Sequence, residues 1–252
     1  MKIARLRIPE GTVYASLRED GYHLILGDIF AEWGELSERY EGEYVLLPPV
    51  SPSKVVCLGA NYMKHAEELS LDVLPEPTIF LKPPSAVIAS GEEIRYPLNA
   101  TKVDYEAELA VVIGKRARNV SEEDALSYVL GYTAANDVTE RDMQKKDGQW
   151  TRAKSFDTFC PLGDMIETDV TSEDLEIIGK RNGVVVQHGH TRELINNVER
   201  SISFISSVMT LEPGDVILTG TPEGIGSLVP GDVFEVEIPG VACLTNRVTK
   251  EG

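Results

Sequence analysis

VDYEAELAVVIG, residues 103–114, joins two patterns that pull in different directions. Leu109 to Ile113 is apolar and rich in β-branched residues, which marks a buried strand. Ahead of it stand three acids in five residues: Asp104, Glu106 and Glu108. Strand side chains alternate between faces, so all three point the same way and repel one another. A hard divalent cation relieves that repulsion, because it takes carboxylate oxygens as ligands. A solvated edge strand, charged against aggregation, has the same spacing. Spacing alone leaves both readings open.

Outward from this stretch the chain alternates short strands with a few helices. Upstream, KVVCLGANY reads as a strand, MKHAEELSL as a short helix, and TIFLKPPSAVI as a strand broken by prolines. Downstream, SEEDALSYVLGY is predicted helical, with Ser121 as its cap and acids in its first turn. A hairpin is predicted at Asn182-Gly183, and a long helix over ELINNVERSISFISSVM, residues 193–209. The end of the chain is strand and turn. Residues 1–47 read as short strands, and PPVSPS marks a boundary. The expected organisation is a small N-terminal β-rich domain, 1–48, and a catalytic domain, 49–252. This mixture indicates an α+β, mostly β fold rather than a parallel doubly wound sheet.

The chain has 252 residues, of which 24 are basic and 41 acidic, giving a net charge of −17. That excludes nucleic acid as the main partner, since phosphate binding needs a positive patch. No stretch approaches the roughly 18 apolar residues of a membrane span. The first residues lack the apolar core of a secretory leader. Three widely spaced cysteines, Cys57, Cys160 and Cys243, form no CxxC pair, which points to a reducing, cytoplasmic setting. Cys57 and Cys160 sit in apolar runs, as buried inert thiols do.

Other residues carry candidate chemistry. Asp137 follows an apolar run in TAANDVTERD, an odd place for a solvated acid. With Glu106 and Glu108 it offers three carboxylates to Mg²⁺ or Mn²⁺ and leaves room for water or substrate oxygens. Steps of four and three place Asp137, Arg141 and Gln144 on one face if that segment is helical. Arg141 could orient a carboxylate, although a surface ion pair has the same spacing. Lys154 precedes an apolar segment, where partial desolvation suits it to an enolate. His65 and Glu68 are three apart, so on a helix the carboxylate can fix the imidazole as a general base. A solvated helix face reads the same way. His188 and His190 have metal-ligand spacing, but a loop role is expected for them.

The order of these elements is more specific than any one of them. NYMKHAEEL, FLKPPSAVI, VDYEAELAVVIG, ANDVTERDMQ with KSFDTFCPLG, and LTGTPEGIG together resemble the fumarylacetoacetate hydrolase (FAH) family. The resemblance runs from about Lys54 to the C-terminus. It implies a mixed β-roll, commonly a homodimer, that binds Mg²⁺, or Mn²⁺ or Ca²⁺, and acts on small 2-oxo, diketo or dienoate (di)acids. It implies Glu106, Glu108 and Asp137 as metal ligands and Lys154 as the active-site lysine. Lys82, Arg141, Gln144 and Thr221 are implied as substrate contacts. His65 and Glu68 match the pair that activates water in members that hydrolyse C–C bonds, with residues 63–77 as a lid. Asp104 has no ligand role in the motif and is expected nearer the rim. Among the family's reactions the closest expectation is a 2-hydroxyhepta-2,4-diene-1,7-dioate isomerase or related decarboxylase. Acylpyruvate hydrolysis, oxaloacetate decarboxylation and a silent dicarboxylate binder are the alternatives. Departures at Ala60, at Asp164 and after Asn197 bear on substrate identity rather than on the metal carboxylates.

Overall fold

The computed structural model describes residues 1–251 and accounts for the continuous apolar run at 109–113. The strand Ala107–Ile113 is buried along its whole length. It lies between Val129–Asn136 and Val216–Leu218 inside an eleven-stranded sheet, so it is not an edge. Leu109, Val111 and Ile113 enter one core with Ile202 and Ile205. Ala110 and Val112 enter another with Val55, Cys57 and Ile166. A strand buried on both faces reads as unbroken hydrophobicity instead of alternation.

A five-stranded sheet stacks over this centre, in the order Val184–His190, Glu176–Arg181, Val233–Ile238, Ala242–Lys250, Glu93–Tyr96. Its inward residues Ile177, Phe234, Val236 and Leu244 complete the larger core. The predicted hairpin is formed by Glu176–Arg181 and Val184–His190. Asn182 and Gly183 both have positive φ, 52° and 76°, as a two-residue primed turn requires. The fold is mostly β, and no helix among the described residues is long and apolar enough to cross a membrane.

At the N-terminus, Lys2–Ile8, Gly11–Arg18, Gly21–Gly27 and Trp33–Arg39 form an antiparallel meander. Ala4, Leu6 and Ala15 gather its own small core with Met165. The meander also continues the large sheet, through Lys2↔Glu167 and Ile3↔Ile166. The boundary at residue 48 is therefore not a break in the hydrogen-bonded sheet.

Three expectations are corrected. SEEDALSYVLGY is not a helix: only Ala125–Tyr128 makes a single 3₁₀ turn. Ser121 Oγ accepts the Asp124 N–H at 3.2 Å, closing a local turn. Val129 onward then pairs with Ala107–Ile113, because valine, tyrosine and threonine fill a half-built sheet better than a short helix. The long helix is shorter than expected, Val198–Val208, because Asn197 caps it by accepting the Arg200 N–H at 2.9 Å. His188 and His190 lie within a strand, not in a loop.

Candidate active site

The acidic run is broken at Glu106, between the strands Val103–Tyr105 and Ala107–Ile113. There, side chains replace the usual ladder partners. The Glu106 N–H donates to Asn136 Oδ1 at 3.0 Å, and the Ala107 N–H to Gln187 Oε1 at 2.9 Å. Asp137 follows the adjacent strand, and its N–H donates to the Glu106 carbonyl. As a result, carboxylate oxygens of Glu106, Glu108 and Asp137 lie within 4.8 Å of one another. All three side chains are buried.

Buried acids need partners, and three cations approach. Lys154 Nζ donates to Glu106 Oε2 and Asp137 Oδ2, each at 2.7 Å. Lys82 Nζ donates to the other oxygen of Asp137 and to the Val138 carbonyl. Lys82 is thus engaged with Asp137 at this centre. Arg141 Nε donates to Asp104 Oδ2 at 3.0 Å, and its terminal nitrogens reach Glu106 and Gln144 Oε1. Asp104 is 1 % exposed, not at the rim as expected, and it also accepts from Ser227 Oγ. Asp137 does not share a helical face with Arg141, because the helix Arg141–Asp147 begins only at Arg141.

Glu108 is the exception to this pairing. It accepts the Gly220 N–H at 2.7 Å and pairs with no cation among the described residues. Gly220 has φ 96°, and a Cβ there would meet Asn61 Cβ at 2.8 Å, so only glycine brings that N–H so close. Burial pushes the Glu108 carboxyl well above its usual range, and the negative charges of Asp137 and Glu106 push it further. For Glu106, burial acts the same way, but Lys154 and Arg141 outweigh it and hold the carboxyl far below its usual range. Burial opposes the Lys154 charge, and Asp137 and Glu106 more than offset that, so its pKa is raised. The donor set is all carboxylate oxygen, with one member lacking a cation. It fits a hard divalent ion.

Glu106, Glu108, Arg141, Lys154, His65 and Thr221 face one small cavity of about 20 Å³, space on the scale of one ion or one water. His65 is carried by the helix Met63–Leu69, with its Nδ1 3.2 Å from Glu68 Oε2. The Gly224 N–H donates to Glu68 at 3.2 Å, fastening the helix to the loop that carries Thr221. The Thr221 hydroxyl donates to the Ala107 carbonyl and accepts from Gln187 Nε2. Trp150, Leu69 and Leu71 separate this cavity from an outer chamber of about 150 Å³. The buried thiols are inert: burial raises Cys160 to about 12 and Cys57 well above its usual value.

Asn136 and Gln187 were not among the expected site residues. Asn136 adjoins Asp137 in the chain, which was the available signal. Gln187 lies 80 residues from its partner Ala107; its spacing to Thr191 fits the family resemblance but assigns it no role at this site.

A buried carboxylate triad flanked by lysines, with a histidine on the same cavity of a mostly β fold, defines a protein with an acidic centre able to hold a divalent metal. The family model for the fumarylacetoacetate (FAA) hydrolase C-terminal domain matches residues 54–249. The chain belongs to the fumarylacetoacetate hydrolase family and is an enzyme of that family. It is 42% identical to the solved 2-hydroxyhepta-2,4-diene-1,7-dioate isomerase of Mycobacterium marinum, with TM-score 0.92 over 100% of this chain and 99% of that one. The 5-carboxymethyl-2-hydroxymuconate delta-isomerase of Mycobacterium smegmatis is 40% identical, with TM-score 0.93 over the full length of both. A mitochondrial oxaloacetate tautomerase of Homo sapiens is 41% identical over 219 residues, 82% of this chain and 70% of that protein.

Proposed function

We propose that this chain is a Mg²⁺-dependent enzyme that shifts protons between enol and keto forms of small 2-oxo or 2-hydroxydienoic (di)acids. The 2-hydroxyhepta-2,4-diene-1,7-dioate isomerase type is the nearest description. The observation that carries this reading is the excess of buried carboxylate at Glu106, Glu108 and Asp137, beside Lys154 and on the cavity that His65 lines. Glu106, Glu108 and Asp137 would hold Mg²⁺, which would supply positive charge to polarise the oxygens of a bound 2-oxo acid. Lys154 keeps its proton at neutral pH and adds a fixed charge where negative charge develops on the C2 oxygen. Arg141, anchored by Asp104, orients a substrate carboxylate. His65, its Nδ1 engaged by Glu68, carries the proton at its other nitrogen. Thr221 and Gln144 complete the polar wall, and Lys82 holds Asp137 in place.

The relatives support this chemistry, because two are isomerases and one a tautomerase of such acids. The His65–Glu68 pair favours one further reading, activation of water for C–C hydrolysis of acylpyruvates. Decarboxylation of oxaloacetate needs no such water. The test offers oxaloacetate, acetylpyruvate and a 2-hydroxydienedioate to metal-stripped protein with and without Mg²⁺. Metal-dependent enol–keto conversion, lost with EDTA and in a folded Glu106→Ala variant, is expected. Turnover that survives Glu106→Ala overturns the metal assignment. If hydrolysis dominates, His65→Ala should cripple it while sparing decarboxylation.

A further inference from the structure

A second cluster of metal-ligating groups lies on the solvent side of the Asn182-Gly183 hairpin. His188 and His190 are two apart on one strand and so share a face. Glu176 is the register partner of His190 across the hairpin. Its Oε1 lies 2.6 Å from His188 Nε2, and one ligand atom from each of the three residues falls within 4.8 Å of the others. The two imidazole rings stand 5.6 Å apart. Asp174 Oδ1 lies 3.1 Å from His190 Nδ1, the carboxylate contact that fixes an imidazole's tautomer and leaves its other nitrogen free.

We propose that Glu176, His188 and His190 form a second metal site, selective for borderline divalent ions such as Zn²⁺, Ni²⁺ or Cu²⁺ over Mg²⁺. Two imidazoles and one carboxylate suit such ions, whereas Mg²⁺ demands hard oxygen ligands. The buried triad is all oxygen, so the two sites sort ions by chemistry. His188 is 54 % exposed, so the ion enters from solvent without any opening of the fold.

The alternate residues of the same strand, Gln187 and Gly189, face inward. A Cβ on Gly189 would meet Pro222 Cβ at 2.6 Å, and Gln187 Nε2 donates to Thr221 Oγ1 at 2.8 Å. The strand that carries the two histidines therefore backs the loop that carries Thr221. An ion on its outer face clamps it to its neighbour and stiffens that backing.

The test is a calorimetric Zn²⁺ titration of the full chain in saturating Mg²⁺, which occupies the buried carboxylates. One Zn²⁺ per chain is expected, with a rise in Tm. The His188→Ala/His190→Ala variant should bind at least about tenfold more weakly, because losing even an outer-shell partner of a ligand costs that much. It should also lose the Tm rise. It should stay folded, because neither side chain is in the core, and keep its Mg²⁺-supported activity. A Glu108→Gln variant should retain the Zn²⁺ site. Absence of Zn²⁺ binding in the unmodified chain, or equal binding by the double variant, overturns the proposal and leaves the histidines as surface ion-pair partners only.

Discussion

Among single side chains, Glu108 links fold, charge and cofactor. Its carboxyl is raised in the folded chain, so above about pH 4.5, its ordinary value, the folded state holds a proton that the unfolded state has released. Stability then falls as pH rises from that value toward the raised one, because the unfolded state binds fewer protons. Urea unfolding of the EDTA-treated protein should show this decline, and Glu108→Gln should remove its share of the slope. An identical slope in the variant would show that Glu108 is not the titrating group. If Mg²⁺ binds here as proposed it would displace the same proton, so titrations in buffers of different ionisation enthalpy should reveal proton release on binding, and affinity should rise with pH. Asp104 makes a different kind of contribution. Asp104→Asn leaves the buried Arg141 short of an anionic partner and should cost about 3–5 kcal/mol in unfolding free energy. Ser227→Ala, which removes one hydroxyl donor to the Asp104 carboxylate and leaves the ion pair in place, should cost less, about 1.5 kcal/mol.

Among elements, the helix Met63–Leu69 borders the inner cavity. That cavity is about 20 Å³, so on the proposed function a dicarboxylate would enter only if this helix and Leu71 moved away from Trp150. Few bonds resist that motion: Glu68 accepts from Gly224, and Lys64 pairs with Glu223 at the exposed surface. Amides of residues 63–74 should exchange with deuterium faster than those of Ala107–Ile113 in the free protein. Adding Mg²⁺ with oxalate, a planar mimic of a 2-oxo acid enolate, should slow them. Unchanged exchange on ligand binding would argue against a lid. This helix was legible in the sequence, because His65 and Glu68 fall at helical spacing. The 121–132 segment was misread, since its cap residue and acidic first turn are local signals, whereas the strand at 129–136 is imposed by a partner some twenty residues upstream.

Over the whole molecule, the legible parts were those with a period. The double-faced burial of Ala107–Ile113 follows from its unbroken apolar run, and the two-residue spacing of Glu106 and Glu108 sets their carboxylates side by side even though the strand is interrupted at Glu106. What alternation cannot give is the company these acids keep. Asn136 and Gln187 reach the acidic strand from 30 and 80 residues away, and the proximity of Gly220 to Glu108 comes from a separate loop. Gln187 comes from the stacked five-stranded sheet, whereas Asn136 and Gly220 come from the ends of strands that flank Ala107–Ile113 in the large sheet, and all of them lie beyond residue 48. The N-terminal meander contributes none of them; it meets the rest through two register pairs, through apolar contacts at Leu130 and Met165, and through the Met1 amino group, which reaches Glu167, Thr168 and Asp169. Deleting residues 1–48 should therefore preserve Mg²⁺ binding by the buried triad. It should lower Tm, because Leu130, Met165 and Ile166 lose their cover, and each such side chain contributes about 1.5–3 kcal/mol when fully buried. Calorimetry on the truncated chain, with circular dichroism to establish folding, separates the outcomes. Retained Mg²⁺ affinity with a reduced Tm is expected. A folded truncation that no longer binds Mg²⁺ would mean that the meander holds the catalytic sheet in its binding geometry, and that the two parts act as one unit.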